Sequence, residues 1–140
     1  MTGGAAVTDT IDRDVETEQR EPSLDMAKLG AFGGKLTDIL NGASAALMLS
    51  VGHQLGLFDT MAGRPPSTSH ELAAAAGLVE RYVREWLGAM TTAGVVTYDS
   101  ARDTYVLPPE HAAMTTRAAG PNNFAAFTQM IPWSPRSRTR

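Results

Sequence analysis

The side chains that could bind a metal ion or act in catalysis are few and widely separated in this sequence. The histidines His53, His70 and His111 show neither the i, i+4 spacing nor the HExxH pattern that places two ligands on one helix face. There is no cysteine, which excludes disulfides, thiolate nucleophiles and cysteine-based zinc sites. We therefore expect no metal site, and interpret the histidines as helix-surface or capping residues.

Serine catalysis and cofactor binding also lack their usual sequence patterns. No serine stands in a GxSxG setting, so a nucleophile elbow is not indicated. A dinucleotide-type cofactor site needs a strand, then a glycine-rich loop, then a later acidic residue. The pair Gly33-Gly34 has no strand before it and is expected near the start of a helix. The sequence therefore assigns no catalytic residue and no cofactor-binding residue.

Arginines are the residues through which this chain could bind DNA. The candidates are Arg81, Arg84 and Arg102, which share the segment 67–107 with five acidic residues, so three bases against five acids leave a net charge of −2. Phosphate contacts by Lys and Arg dominate the affinity of proteins for duplex DNA. Phosphates would be repelled here about as much as attracted, which disfavours DNA as a partner.

Two helices separated by a short turn are predicted around these arginines. Thr68 and Glu71 have the capping-box spacing, so a helix is expected to begin near Ser69 and to end at Gly77. A second helix is expected over residues 80–93, closed by Gly94. Its apolar residues Val83, Trp86, Leu87 and Met90 form one stripe with a 3.6-residue period, and we expect Trp86 in the core.

A small β-hairpin is predicted directly after these helices. Residues 95–98 and 104–106 are β-branched or aromatic, and the polar segment 99–103 between them favours a turn. The order helix, helix, turn, helix and two strands over residues 57–107 is that of a winged helix. We therefore expect a mainly α fold, a winged helix-turn-helix with a small hairpin wing and an additional long N-terminal helix.

That additional helix is expected over residues 24–56 and is apolar on more than one face. A helix of this kind needs more than one partner surface. In a domain of this size we expect the second surface to be another copy of the chain, and therefore a homodimer built around residues 36–58. The predicted interface residues are Leu36, Ile39, Leu40, Leu47, Val51 and Leu55.

Composition divides the chain into three parts. Residues 1–23 hold six acids and few large apolar side chains, so we expect a disordered acidic arm. Residues 24–131 form the expected winged-helix dimerisation domain, and residues 132–140, with three arginines, a disordered basic tail. The sequence has neither an apolar run of membrane-spanning length nor a signal-peptide pattern, so no membrane association and a cytoplasmic location are expected.

The strings LMLSVGHQLGLF, HELAAAAGLVERYVREWLGAM, VVTYD and YVLPPEHAAM resemble the N-terminal winged-helix domain of class I S-adenosylmethionine-dependent methyltransferases, of an actinobacterial type often labelled transcriptional regulators. The resemblance covers about residues 30–131. Members of that family continue into a Rossmann-like domain that holds S-adenosylmethionine, and this sequence contains no (D/E)xGxGxG loop. The resemblance also implies that Met114, Phe124, Phe127 and Met130 would line a substrate pocket in a full-length relative.

These observations lead to two hypotheses about function. The first is a non-catalytic dimerisation or substrate-cover module, without activity or cofactor of its own and expected to be a truncated product. The alternative is a small winged-helix transcriptional regulator that binds DNA through Arg81, Arg84 and Arg102.

Overall fold

The computed structural model describes residues 23–130. The expectations for the acidic arm, except at Ser23, and for the basic tail lie outside these residues. In chain order the helices and strands are α1 (Met26–Gln54), α2 (Leu57–Met61), α3 (Ser69–Ala76), α4 (Glu80–Thr92), β1 (Thr97–Asp99), β2 (Thr104–Val106), α5 (Pro109–Thr115), a 3₁₀ helix (Arg117–Asn122), α6 (Phe124–Phe127) and a second 3₁₀ helix (Thr128–Met130).

Helix α1 is 29 residues long and begins at Met26 because the preceding residue caps it. The Asp25 side chain accepts hydrogen bonds from the N–H groups of Ala27 and Lys28, at 3.0 and 3.2 Å. The helix therefore begins well before Gly33-Gly34, which lie inside it rather than near its start as the sequence suggested. The chain leaves α1 through Gly56, whose φ of +69° is left-handed and suits glycine.

The helix-turn-helix has the predicted local structure. Thr68 and Glu71 form the capping box, and Gly77 ends α3 in a left-handed conformation. The Thr68 N–H donates to the Glu71 carboxylate at 2.7 Å, and this bond holds the pKa of that carboxyl below its usual range. Across the turn, the Ser69 hydroxyl donates to Glu80 at 2.7 Å and joins the first turns of α3 and α4.

The hairpin is shorter at its start than predicted. Strand β1 begins at Thr97, because the N–H groups of Val95 and Val96 both donate to the Met90 carbonyl at the end of α4. Val96 is buried in the core. The two strands pair antiparallel with Tyr98 opposite Tyr105. Tyr105 also exchanges backbone hydrogen bonds with Ser67, which fixes the wing to the segment before α3.

The core lies where α1, α2, α3 and α4 meet. Its largest fully buried side chains are Leu57, Phe58, Leu72, Val83, Leu87 and Met90. Trp86 is 3% exposed, as predicted, and its ring meets Phe58 edge-on with the centroids 5.2 Å apart. The Trp86 indole N–H donates to the Met48 carbonyl at 2.9 Å, which fixes the last turns of α1 to α4. The predicted winged helix-turn-helix with a long N-terminal helix is therefore confirmed.

Candidate functional site

The candidate site is a stripe of apolar side chains along α1. All six of the predicted interface residues are exposed in the single chain, by 36% at Val51 to 66% at Leu40. Leu29 and Phe32 extend the stripe toward the start of the helix and are also exposed. We call this surface, from Leu29 to Leu55, the α1 stripe. Exposed apolar patches of this extent on a domain surface are characteristic of interaction sites.

The N-terminal part of α1 does not pack on its own domain. Every side chain from Met26 to Ser44 is exposed, a length of about 28 Å at 1.5 Å per residue. Contact with the core begins only in the last turns, where Met48 and Leu49 pack against it and Gly52 is buried. The domain therefore leaves the α1 stripe exposed, and only its last residues, Val51 and Leu55, border the core.

A deep apolar groove continues the α1 stripe onto α4. This cavity of about 280 Å³ is lined by Val51, Leu55, Leu57, Leu78, Val79, Tyr82, Val83 and Trp86. Val79 and Tyr82, at the start of α4, are 62% and 68% exposed at its rim. Neither residue was predicted as a site residue from the sequence. Their side chains join the α1 stripe in one apolar surface only because α4 packs beside the end of α1. The exposed side chains of Val79 and Tyr82 therefore form a second apolar surface at the start of α4.

The three candidate DNA-binding arginines are each paired with an acidic side chain. Arg81 Nε lies 3.3 Å from Glu85 Oε1, and Arg84 Nε lies 3.7 Å from Glu80 Oε1. In the wing, Arg102 Nη1 donates to Asp99 at 2.9 Å. These pairs distribute opposite charges over the surface that a duplex would contact, and they lower its positive potential. The structure thus leaves Arg81 and Arg84 together on α4 and Arg102 apart from them in the hairpin.

A second apolar cavity, of about 260 Å³, lies beside α5 and α6. Its lining residues are Leu49, Gly94, Val95, His111, Met114, Thr115, Phe124 and Ala125. The His111 ring bonds through Nδ1 to the Val95 carbonyl at 2.7 Å; since a carbonyl only accepts, Nδ1 carries the proton. The Phe124 ring, which lines this cavity, also contacts the Phe127 ring, with the centroids 5.6 Å apart.

Arg117 forms a polar junction that sequence analysis did not find. Its backbone N–H donates to Asp59 Oδ1 at 2.8 Å, and its guanidinium pairs with the other oxygen of that carboxylate. The same guanidinium donates to the His53 carbonyl at 2.7 Å, near the end of α1. The residues are 58 and 64 positions apart, so no local spacing signals the contact. The junction holds the segment after α5 against α1 and α2.

The histidines have separate structural contacts. His53 lies 3.5 Å from the Asn123 amide, His70 lies 3.9 Å from Glu80, and His111 bonds to Val95. Within residues 23–130 the His, Asp and Glu side chains form no group of three that could hold a metal ion. In the same part of the chain, none of the helices is long and apolar enough to cross a membrane.

Several solved structures, two of them methyltransferases, contain a similar fold. The mitomycin 7-O-methyltransferase MmcR is 27% identical, with a TM-score of 0.57 over 65% of this chain and 26% of that one. The S-adenosylmethionine-dependent methyltransferase SibL is 26% identical, with a TM-score of 0.57 over 72% of this chain and 30% of that one. PigF, solved with SAH, shares the fold at 21% identity, with a TM-score of 0.60 over 70% and 28% of the two chains.

This chain therefore spans between about a quarter and a third of the length of those three proteins. Among curated proteins, none matches it. The Rv2258c-like winged HTH domain matches residues 43–117, which is more than half of the chain and includes α2, α3, α4 and the hairpin. The chain belongs to the Rv2258c-like winged helix-turn-helix domain family.

Proposed function

We propose that this protein is a non-catalytic dimerisation module, and that two copies associate through the α1 stripe. The observation that carries the proposal is the exposure of all six predicted interface residues on one 29-residue helix. A helix whose N-terminal part is exposed on all sides gains stability when another surface covers its apolar side.

The energetics of burial are compatible with a dimer. Full burial of a Leu, Ile or Val side chain contributes roughly 1.5–3 kcal/mol, so twelve half-exposed side chains in two copies contribute roughly 9–18 kcal/mol. The loss of translational and rotational freedom costs about 4–15 kcal/mol. Because gain and cost are similar in size, the dimer depends on most of the stripe, and one buried charge is enough to dissociate it.

A substrate-cover role is the second part of the proposal. Met114, Phe124, Phe127 and Met130 are exposed apolar side chains near the end of the described segment, and Met114 and Phe124 also line the His111 cavity. The similarity to MmcR and SibL supports a position in front of a methyltransferase domain. In that arrangement these side chains cover a substrate, and the catalytic domain binds S-adenosylmethionine.

Sedimentation velocity at micromolar concentration tests the dimer. We expect the wild-type chain to sediment as a dimer and the Leu40→Asp variant as a folded monomer, because an unpaired carboxylate in an apolar interface costs several kcal/mol. The core lies elsewhere, so the circular dichroism of the winged helix should persist.

Ala31→Asp is the matched control for this experiment. Ala31 is exposed and lies nine residues before Leu40, about two and a half turns, so its side chain points to the opposite side of α1. We expect this variant to remain dimeric. A wild-type chain that stays monomeric at high micromolar concentration would refute the proposal.

A further inference from the structure

Two triplets of the α1 stripe have the same spacing when they are read in either direction. Phe32, Leu36 and Leu40 follow one another at intervals of four residues, and Leu47, Val51 and Leu55 do the same. The midpoint of the two triplets lies between Ala43 and Ser44. In a contact between identical surfaces related by a two-fold axis, residue i meets j while j meets i, and this pattern then places an apolar residue opposite an apolar residue at every pair.

We propose that two copies pair their α1 helices antiparallel, about a two-fold axis beside Ala43 and Ser44. Leu40 then meets the partner's Leu47, Leu36 meets the partner's Val51, and Phe32 meets the partner's Leu55. This inference rests on the proposed dimer and specifies which surfaces it joins.

The position of the domain on α1 favours the antiparallel direction over the parallel one. The winged helix packs on the last turns of α1, while the segment before Asn41 projects from it with its side chains exposed. Antiparallel pairing lays each projecting segment along the domain-bearing half of the partner helix. Parallel pairing leaves both projecting segments to pair with each other and both α4 grooves uncovered. Opposed helix dipoles also favour the antiparallel arrangement.

The groove beside α4 provides a place for Phe32. Its rim includes Leu55, Val79 and Tyr82, and its lining is almost wholly apolar. In the proposed register the Phe32 ring of one copy lies against Leu55 of the partner subunit, at the mouth of that groove. A large exposed aromatic ring and an apolar cavity of about 280 Å³ are thereby brought together twice, once at each end of the helix pair.

The centre of α1 allows the two helices to approach closely. Residues 42–46 are Gly, Ala, Ser, Ala and Ala, so no large side chain separates the helices at the axis. Helix axes approach within about 8–10 Å, and the lower distance requires small residues at the contact. The Ser44 hydroxyl already donates to the Leu40 carbonyl at 2.9 Å, so its burial leaves no donor without a partner.

Disulfide trapping tests this register directly, since the natural chain contains no cysteine. Chains carrying Leu36→Cys alone are mixed with chains carrying Val51→Cys alone, and the mixture is oxidised mildly. We expect a covalent dimer on a non-reducing gel, and its intact mass by mass spectrometry should show one chain of each kind. Cysteine is small and apolar, so both substitutions retain much of the apolar character of the stripe.

Each single variant serves as the control. In the antiparallel register two Leu36→Cys residues lie about 22 Å apart along the helix, far beyond the 4.4–6.8 Å between Cα atoms that a disulfide spans. We therefore expect no covalent dimer from Leu36→Cys alone or from Val51→Cys alone.

The outcomes separate this inference from the proposal on which it rests. Rapid cross-linking of Leu36→Cys to itself would establish a parallel pair and overturn the register, while the dimer would stand. A dimer in sedimentation that gives no mixed cross-link would also overturn the register. A wild-type monomer in sedimentation would overturn the proposed function and the register with it.

Discussion

Trp86 connects the two helices on which the domain depends. Its ring packs edge-on against Phe58, and its N–H satisfies the Met48 carbonyl. The apolar stripe of α4 was enough to predict that Trp86 is buried, because helix periodicity is local. The hydrogen bond to Met48 was not predictable, since that residue is 38 positions away and only the crossing of α1 and α4 brings it near.

We expect Trp86→Ala to lower the free energy of unfolding by roughly 3–5 kcal/mol, the range for a buried aromatic residue replaced by alanine. Urea or thermal unfolding of the two proteins at equal concentration measures the difference. Arg81→Ala, on the exposed side of the same helix, is the control and should change stability by no more than about 0.5 kcal/mol. A loss below about 1 kcal/mol at Trp86 would contradict its role in the core.

Helices α3 and α4 were predictable because their boundaries are signalled locally. The capping box at Thr68 and the left-handed glycines Gly77 and Gly94 stand beside the helix ends that they determine. The start of β1 was wrong by two residues, because Val95 and Val96 have strand propensity but serve the end of α4 and the core. At these two residues the tertiary contacts override the intrinsic preference for a β-strand.

Gly52 lies where α1 packs closely against the Phe58 and Trp86 rings, and this position has no room for a side chain. A Cβ added at this position would lie 2.4 Å from Trp86 Cζ2 and 2.7 Å from Phe58 Cε2, which is closer than atoms approach. This contact was not predictable, since a glycine inside a predicted helix has many explanations. The glycine allows α1 to lie directly on the Phe58 and Trp86 rings.

We expect Gly52→Ala to destabilise the domain by about 1–3 kcal/mol, the usual cost of overpacking a core, despite the better helix propensity of alanine. Gly34→Ala is the matched control in the same helix, because a Cβ there meets nothing within 4 Å. That variant should gain about 0.5–1 kcal/mol. Equal stabilisation of both variants in thermal unfolding would show that α1 does not cross α4 so closely.

At the scale of the whole molecule, the winged helix presents apolar and charge-balanced surfaces. The order of elements was predictable from periodicity and caps. The groove beside α4, the His111 cavity and the Arg117 to Asp59 junction were not, because each joins residues from distant parts of the sequence. The α1 stripe was predictable from the spacing of its apolar residues. That the stripe lies away from the core was not, because this depends on how the domain packs against α1.

This surface leads to a prediction about duplex DNA. The arginines of α4 are paired with Glu85 and Glu80, and Arg102 is paired with Asp99, so phosphate contacts must compete with an acid at each arginine. We expect binding to duplex no tighter than about 10⁻⁴–10⁻⁶ M at physiological salt, the range of non-specific complexes. Fluorescence anisotropy with labelled duplexes of several sequences, at more than one salt concentration, measures it.

Replacing Glu85 tests whether the pairing of the arginines with acids is what weakens binding to DNA. Glu85→Gln leaves Arg81 without its ionic partner, so we expect duplex binding to strengthen and to become more dependent on salt, while remaining indifferent to sequence. Arg81→Ala combined with Arg84→Ala should change the weak wild-type binding little. A nanomolar, sequence-dependent complex that this double variant abolishes would instead establish DNA recognition by α4, because phosphate contacts alone do not discriminate one sequence from another.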